Sequence, residues 1–126
     1  MKKIALMSVA FMFGLAAMAQ PKADDVMKMN TEKHDFGKIK QNVPVTYFFE
    51  IKNTSDRPIV VENTSASCGC TIPEKPEQPI EPGKSGKLKV EYNASAVGVF
   101  NKEIYIKLAG IEQQKTIYIT GTVVAQ

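Results

Sequence analysis

Two cysteines, Cys68 and Cys70, are the only thiols in the 126-residue chain, and Gly69 alone separates them. Such a pair suits three kinds of chemistry: the sulfurs can form an intramolecular disulfide, exchange with another thiol, or bind Cu(I) as soft thiolate ligands. The glycine favours the disulfide because it tolerates the positive φ that a very small ring needs. We therefore expect a disulfide between Cys68 and Cys70. Redox exchange and a metal site at the same two residues stay open as alternatives.

The rest of the chain gives little support for catalysis. His34 is the only histidine, and next to Asp35 in a short strand it is more simply a surface residue than a metal ligand. No Cys-x-x-Cys motif and no strand-helix alternation of the thioredoxin type is present. We predict no catalytic residues, no enzymatic activity and no cofactor, with Cu(I) as the alternative.

The first nineteen residues predict a secretion signal. Lys2 and Lys3 give a positive start, residues 4–16 are mostly apolar, and Ala17-Met18-Ala19 has the small-x-small form that signal peptidase cuts. We expect cleavage before Gln20, a periplasmic or secreted mature protein, and no transmembrane segment after cleavage. Residues 20–30 mix charge, proline and methionine without a sustained period, which predicts a flexible N-terminal tether.

The mature chain is nearly neutral. Residues 1–19 contain two lysines and no acidic residue, so 14 basic and 13 acidic residues remain, a net charge of +1. The chain has no tryptophan, and no cluster of basic residues alternates with aromatic ones. We therefore expect no binding to nucleic acid.

From residue 31 onward, apolar residues alternate with polar ones and turn residues separate the runs. This period of two predicts short, half-buried strands, and no stretch has the three-and-four spacing of an amphipathic helix. Residues 31–126 are therefore predicted to be all-β, an immunoglobulin-like antiparallel β-sandwich of about seven strands. The residues expected in its core are Phe49, Ile51, Val61, Leu88, Val90, Ile104, Ile106, Ile117 and Ile119.

Several segments resemble a known bacterial family of exported proteins. They are Asp35–Ile39, Val45–Asn53, Ala66–Thr71, Ile80–Gly86 and Phe100–Ile106, of which Ser67-Cys68-Gly69-Cys70-Thr71 is the most specific. The family is the domain-of-unknown-function 1573 family. It is similar in turn to the immunoglobulin-like domains of the ciliary, abnormal-spindle and major-sperm-protein type. The resemblance implies a fold and an extracytoplasmic compartment but no activity.

These observations predict a non-enzymatic binding or scaffold domain at the bacterial cell envelope, with an envelope protein or a glycan as its partner. The alternative is a periplasmic thiol-redox or Cu(I)-handling protein that acts through Cys68-Gly69-Cys70. A third possibility, a chaperone that pairs an exposed strand edge with a peptide, rests on analogy of fold alone.

Overall fold

The computed structural model describes residues 20–126, so the predicted signal peptide lies outside the described part of the chain. These residues form a short 3-10 helix, Ala23–Asp25, and eight strands. The strands are β1 (Met27–Met29), β2 (Lys33–Lys40), β3 (Val45–Asn53), β4 (Val61–Ala66), β5 (Thr71–Glu74), β6 (Ser85–Tyr92), β7 (Gly98–Leu108) and β8 (Lys115–Val124). Within residues 20–126, no helix is long and apolar enough to cross a bilayer.

The strands form two four-stranded sheets. Sheet I has the order β1-β3-β6-β5, and sheet II has the order β2-β8-β7-β4. All neighbouring strands are antiparallel except β2 and β8, which are parallel. The all-β prediction is confirmed, but the expectation of two purely antiparallel sheets is corrected at this pair. Two parallel strands must be connected by about a dozen residues or more, and the long chain between β2 and β8 meets this requirement. The local sequence pattern does not reveal a partner that lies so far away along the chain.

Alternating side chains of both sheets fill the core. All nine residues expected there are buried, and Tyr92, Phe100, Leu108 and Val123 join them. The rings of Tyr92 and Phe100 stack with their centroids 4.2 Å apart. Gly121 makes room for Phe100, because a Cβ at this position would lie 2.7 Å from two carbons of the Phe100 ring.

The N-terminal segment differs from the flexible tether predicted for residues 20–30. Ala23 and Met27 are buried, and β1 pairs with the last three residues of β3. Lys115, at the start of β8, also bonds to Asp24 and Glu32. The segment was missed because three strand residues are too few to show a period, and their partner lies more than twenty residues away.

Two further strands differ from the sequence pattern. The apolar run Ile59-Val60-Val61 before Glu62 predicts a strand over residues 59–62. The observed strand runs instead from Val61 to Ala66, and Ile59 only forms an isolated bridge to Ile80. β5 was not predicted, because Pro73 lies within it and proline argues against a strand. β5 tolerates the proline because it lies at the edge of sheet I.

Candidate functional site

Residues 67–70, which we name the cysteine turn, connect the two sheets. β4 ends at one edge of sheet II, the chain turns, and β5 begins at one edge of sheet I. The sulfurs of Cys68 and Cys70 are at disulfide distance, and their Cα atoms are 5.3 Å apart. Both cysteines are partly buried, while Gly69 is exposed. The structure therefore brings the two predicted site residues together at the surface.

Hydrogen bonds hold the cysteine turn against both sheets. The Ser67 N–H donates to the carbonyl of Glu103 over 3.0 Å, and the Ser67 Oγ accepts from the Glu103 N–H over 3.2 Å. On the other side, the Asn93 N–H donates to the carbonyl of Cys70 over 3.0 Å. Since β7 and the residue that follows β6 both anchor it, the turn is held as a rigid element of the fold.

Two tyrosines lie near the cysteine turn, and the pKa of each is raised. Burial raises the pKa of Tyr92, which pairs with Thr71, above its ordinary value. A hydrogen bond to Glu103 raises the pKa of Tyr105. Both phenols are therefore neutral at physiological pH. Within the described residues, no three His, Cys, Asp or Glu side chains converge as metal ligands.

His34 lies far from the cysteine turn, on the opposite edge of sheet II. Its ring stacks on that of Tyr47 in β3, with centroids 3.6 Å apart and planes inclined by 9°. Its edge contact with Phe36 has a centroid distance of 4.6 Å. His34 therefore packs the seam between the two sheets, and the structure does not combine it with either cysteine.

A second candidate surface, which the sequence did not reveal, lies at the end of the sandwich where β3 and β7 begin and β8 finishes. It carries four exposed valines, and we name it the valine end: Val43, Val97, Val99 and Val124. Val99 is 84% exposed, the highest value among the exposed large apolar side chains of the described chain. Isolated exposed valines are ordinary, but a group of them on one surface is typical of an interaction site.

The loops beside the valine end contain two residues with strained backbone dihedral angles. Asn42 and Ala94 are the two non-glycine residues with positive φ in residues 20–126, with φ of 63° and 55°. They contact each other, since the Asn42 N–H donates to the carbonyl of Ala94 over 2.9 Å. The Gln41 N–H likewise donates to the carbonyl of Val124 over 2.9 Å. Such strain costs about 1 kcal/mol or more per residue and concentrates at functional sites.

The charged side chains around the valine end have one sign. Segments 38–45, 93–99 and 122–126 contain Lys38 and Lys40 but no acidic side chain. Both lysines belong to β2, where they pair with Thr122 and Val124 of β8. The valine end is therefore an apolar surface with a basic rim.

The described fold is an immunoglobulin-like sandwich of two four-stranded sheets. The chain matches the family model described as "Protein of unknown function (DUF1573)" over residues 27–123, and it belongs to this family. The family resemblance seen in the sequence is thereby confirmed. No curated protein matches the chain in sequence.

Solved structures with the same fold come from distant organisms. A protein of unknown function from Porphyromonas gingivalis W83 has 16% identity and a TM-score of 0.67, over 77% of this chain and 46% of that one. The ASH/PapD-like domain 7 of human CEP192 has 7% identity and a TM-score of 0.66, over 89% of this chain and 94% of that domain. The VesB protease of Vibrio cholerae has 14% identity and a TM-score of 0.61, over 80% of this chain and 33% of the protease.

The chain spans less than half of the Porphyromonas protein and a third of the protease. At these identities the likeness concerns the fold alone, because one sandwich architecture hosts unrelated functions.

Proposed function

We propose that this chain is a non-catalytic, extracytoplasmic binding module of the bacterial cell envelope that engages another protein through the valine end. The observation that carries the proposal is the cluster of exposed valines built on the strained pair Asn42 and Ala94. Exposed apolar side chains and the strained backbone near them cost stability, and contact with a partner offsets that cost. The β-sandwich serves as the scaffold that positions the turns and strand ends carrying the valines.

A comparison of matched valine variants tests the binding proposal. The double variant Val97→Ser, Val99→Ser removes apolar surface at the valine end, whereas Val60→Ser removes an exposed valine elsewhere. Each purified domain is immobilised and exposed to envelope extract of the native bacterium, and retained proteins are quantified by mass spectrometry. We expect a specific protein to be retained by the wild type and by Val60→Ser, and at least about tenfold less by the double variant. Equal retention by all three would refute the role of the valine end.

The extracytoplasmic location has its own test. The full chain is expressed in a Gram-negative host, and the mass of the protein released from the periplasm is measured. Cleavage before Gln20 predicts a mature protein of 107 residues, a length that follows from the 126 residues of the chain. Retention of the intact chain in the cytoplasm would contradict export.

Thiol exchange or Cu(I) binding is the second candidate function, favoured by the two adjacent sulfurs at a surface turn. In the disulfide form neither sulfur is a thiolate, so Cu(I) binding needs prior reduction. Exchange can begin from either state, because an external thiolate can attack the disulfide and release one of the two cysteines as a thiolate. The reduced domain is titrated with Cu(I), and its redox equilibrium with glutathione is measured. Stoichiometric copper binding that disappears in Cys68→Ser, Cys70→Ser, or a potential within the range of the periplasmic thiol enzymes, would favour this candidate.

A further inference from the structure

Pairing along the outer edge of β3 stops before the strand does. β3 has nine residues, but β1 pairs only with Ile51, Lys52 and Asn53. Asn30 then ends the ladder: its N–H donates to the carbonyl of Glu50 over 3.2 Å, and its Oδ1 accepts from the Glu50 N–H over 2.9 Å. The chain leaves sheet I at this point and begins β2 in sheet II.

The remainder of this edge presents unpaired backbone groups. Glu50 directs both its N–H and its C=O toward the side of β1, and alternate residues of a strand share that direction. Thr46 and Phe48 therefore present their N–H and C=O groups on the same side. Among residues 20–126 these groups have no hydrogen-bond partner, because β6 lies on the other side of β3.

The composition of this open edge, residues 45–49, is unusual for an unpaired strand. Its sequence, Val-Thr-Tyr-Phe-Phe, has high strand propensity and contains no charge and no proline. Natural edge strands are commonly protected by lysine, proline or a bulge against pairing with other chains. Phe48 is also 51% exposed on the outer face of sheet I. The open edge therefore has the properties of a strand that pairs with an added strand.

We propose that an extended segment of the partner protein adds to sheet I along the open edge, antiparallel to β3 and in line with β1, and then continues across the valine end. This inference rests on the proposed function and identifies the partner's chemistry. The open edge is about 17 Å long at 3.4 Å per residue, too short by itself for a stable interface with a second copy. A segment that also covers the valine end adds the exposed valines to the buried surface. Because Lys38 and Lys40 form the rim there, the segment carries acidic side chains where it leaves the edge.

Two synthetic peptides with blocked ends test the proposal. One has the sequence Val-Thr-Val-Thr-Val-Glu-Glu, and the matched control replaces both Glu residues with Lys. Amide hydrogen exchange of the mature domain is followed by NMR with each peptide. We expect the Glu peptide to slow exchange of the Thr46 and Phe48 amides at least about tenfold, and the Lys peptide to bind at least about tenfold more weakly. The difference between the peptides should narrow at high salt, because salt screens exposed charges.

Edge variants separate this inference from the proposed function. Phe48→Lys adds a charge to the open edge, and Thr46→Pro removes an unpaired N–H; both should abolish protection while retaining the wild-type circular dichroism spectrum. Ile72→Lys is the control, because Ile72 is 52% exposed on the same sheet but lies in β5 at the opposite edge.

The outcomes are distinct. Loss of Glu-peptide binding in the edge variants supports strand addition, whether or not Val97→Ser, Val99→Ser also weakens binding. Loss in Val97→Ser, Val99→Ser but not in the edge variants leaves the valine end as the binding surface and overturns strand addition. Protection of the Thr46 and Phe48 amides without peptide, together with a doubled molecular mass, would make a second copy the occupant and would also overturn it. If neither peptide changes exchange at the Thr46 and Phe48 amides, strand addition is overturned as well.

Discussion

Replacing Asn53 with alanine should strongly destabilise the domain. Asn53 is completely buried at the end of β3, and its Nδ2 donates to the carbonyls of Arg57 and Ile80 over 2.6 and 2.7 Å. Its Oδ1 accepts from the N–H of Ser55 over 2.8 Å. One side chain thus joins three backbone positions in two loops. At about 0.5–1.5 kcal/mol per bond, and with the partly buried N–H of Ser55 left unpaired, the loss amounts to about 2–4 kcal/mol.

Thermal unfolding followed by circular dichroism measures this effect. For a domain of this size, a loss of about 2–4 kcal/mol lowers the melting temperature by roughly 10–25 °C. Asn63→Ala is the matched control, because Asn63 begins a similar Asn-Thr-Ser triplet but is exposed. We expect its effect to stay within about 0.5 kcal/mol. A destabilisation by Asn53→Ala no larger than that of the control would refute the reasoning.

Asn53→Asp tests the polarity of the same network. The aspartate keeps an acceptor for Ser55 but loses both donated hydrogen bonds. At pH 7 its charge would face the carbonyl oxygens of Arg57 and Ile80. Because a buried, unpaired charge is costly, this variant should be at least as unstable as Asn53→Ala at neutral pH and should recover partly when acidified. Equal stability at both pH values would show that the site is solvated.

Three further outcomes are expected from thermal melts. Phe49→Ala should lower the free energy of unfolding by about 3–5 kcal/mol, because the ring is fully buried. Phe48→Ala should lower it by less than about 1 kcal/mol, because this neighbouring ring is half exposed. Similar losses in the two variants would contradict the assignment of Phe49 to the inner face and Phe48 to the outer face of sheet I. Gly121→Ala should lower the free energy of unfolding by about 1–3 kcal/mol, since the new Cβ would lie 2.7 Å from the Phe100 ring. An unchanged melting temperature would show that the Phe100 ring moves aside freely. Burial lowers the pKa of Lys115, but bonds to two carboxylates raise it and prevail. From neutral pH to about pH 10.4, its ion pairs should therefore stabilise the wild type fully relative to Lys115→Gln. This advantage should disappear as pH rises through the raised pKa of Lys115, and an advantage that persists at higher pH would contradict the assignment.

The sequence was sufficient to predict the strands with long alternation, because one buried face leaves a period of two. β3, β6, β7 and β8 and all nine expected core residues were found in this way. β1 and β5 were missed because three or four residues show no reliable period. The parallel pairing of β2 with β8 was missed because the two strands lie far apart in the sequence.

The candidate surfaces were only partly visible in the sequence. The two cysteines are recognisable by their type and spacing, and the structure places them together. The valine end was missed because its valines come from separate segments and resemble ordinary strand residues. No residue type marks the positive φ of Ala94, and the only sequence signal was a glycine between two valines, Val97-Gly98-Val99.

The parallel pair of β2 and β8 also determines when this domain can finish folding. Lys33 pairs with Tyr118, so strands near the two ends of the described chain must meet before sheet II exists. A chain that emerges with its N-terminus first, from a ribosome or through a membrane pore, therefore holds β2 without its neighbour until β8 has emerged. Such long-range closure is typical of slow-folding sandwiches, with times of milliseconds to seconds. A nascent chain that stalls before residue 115 lacks an inner strand of sheet II and leaves both β2 and β7 exposed to aggregation and to proteases.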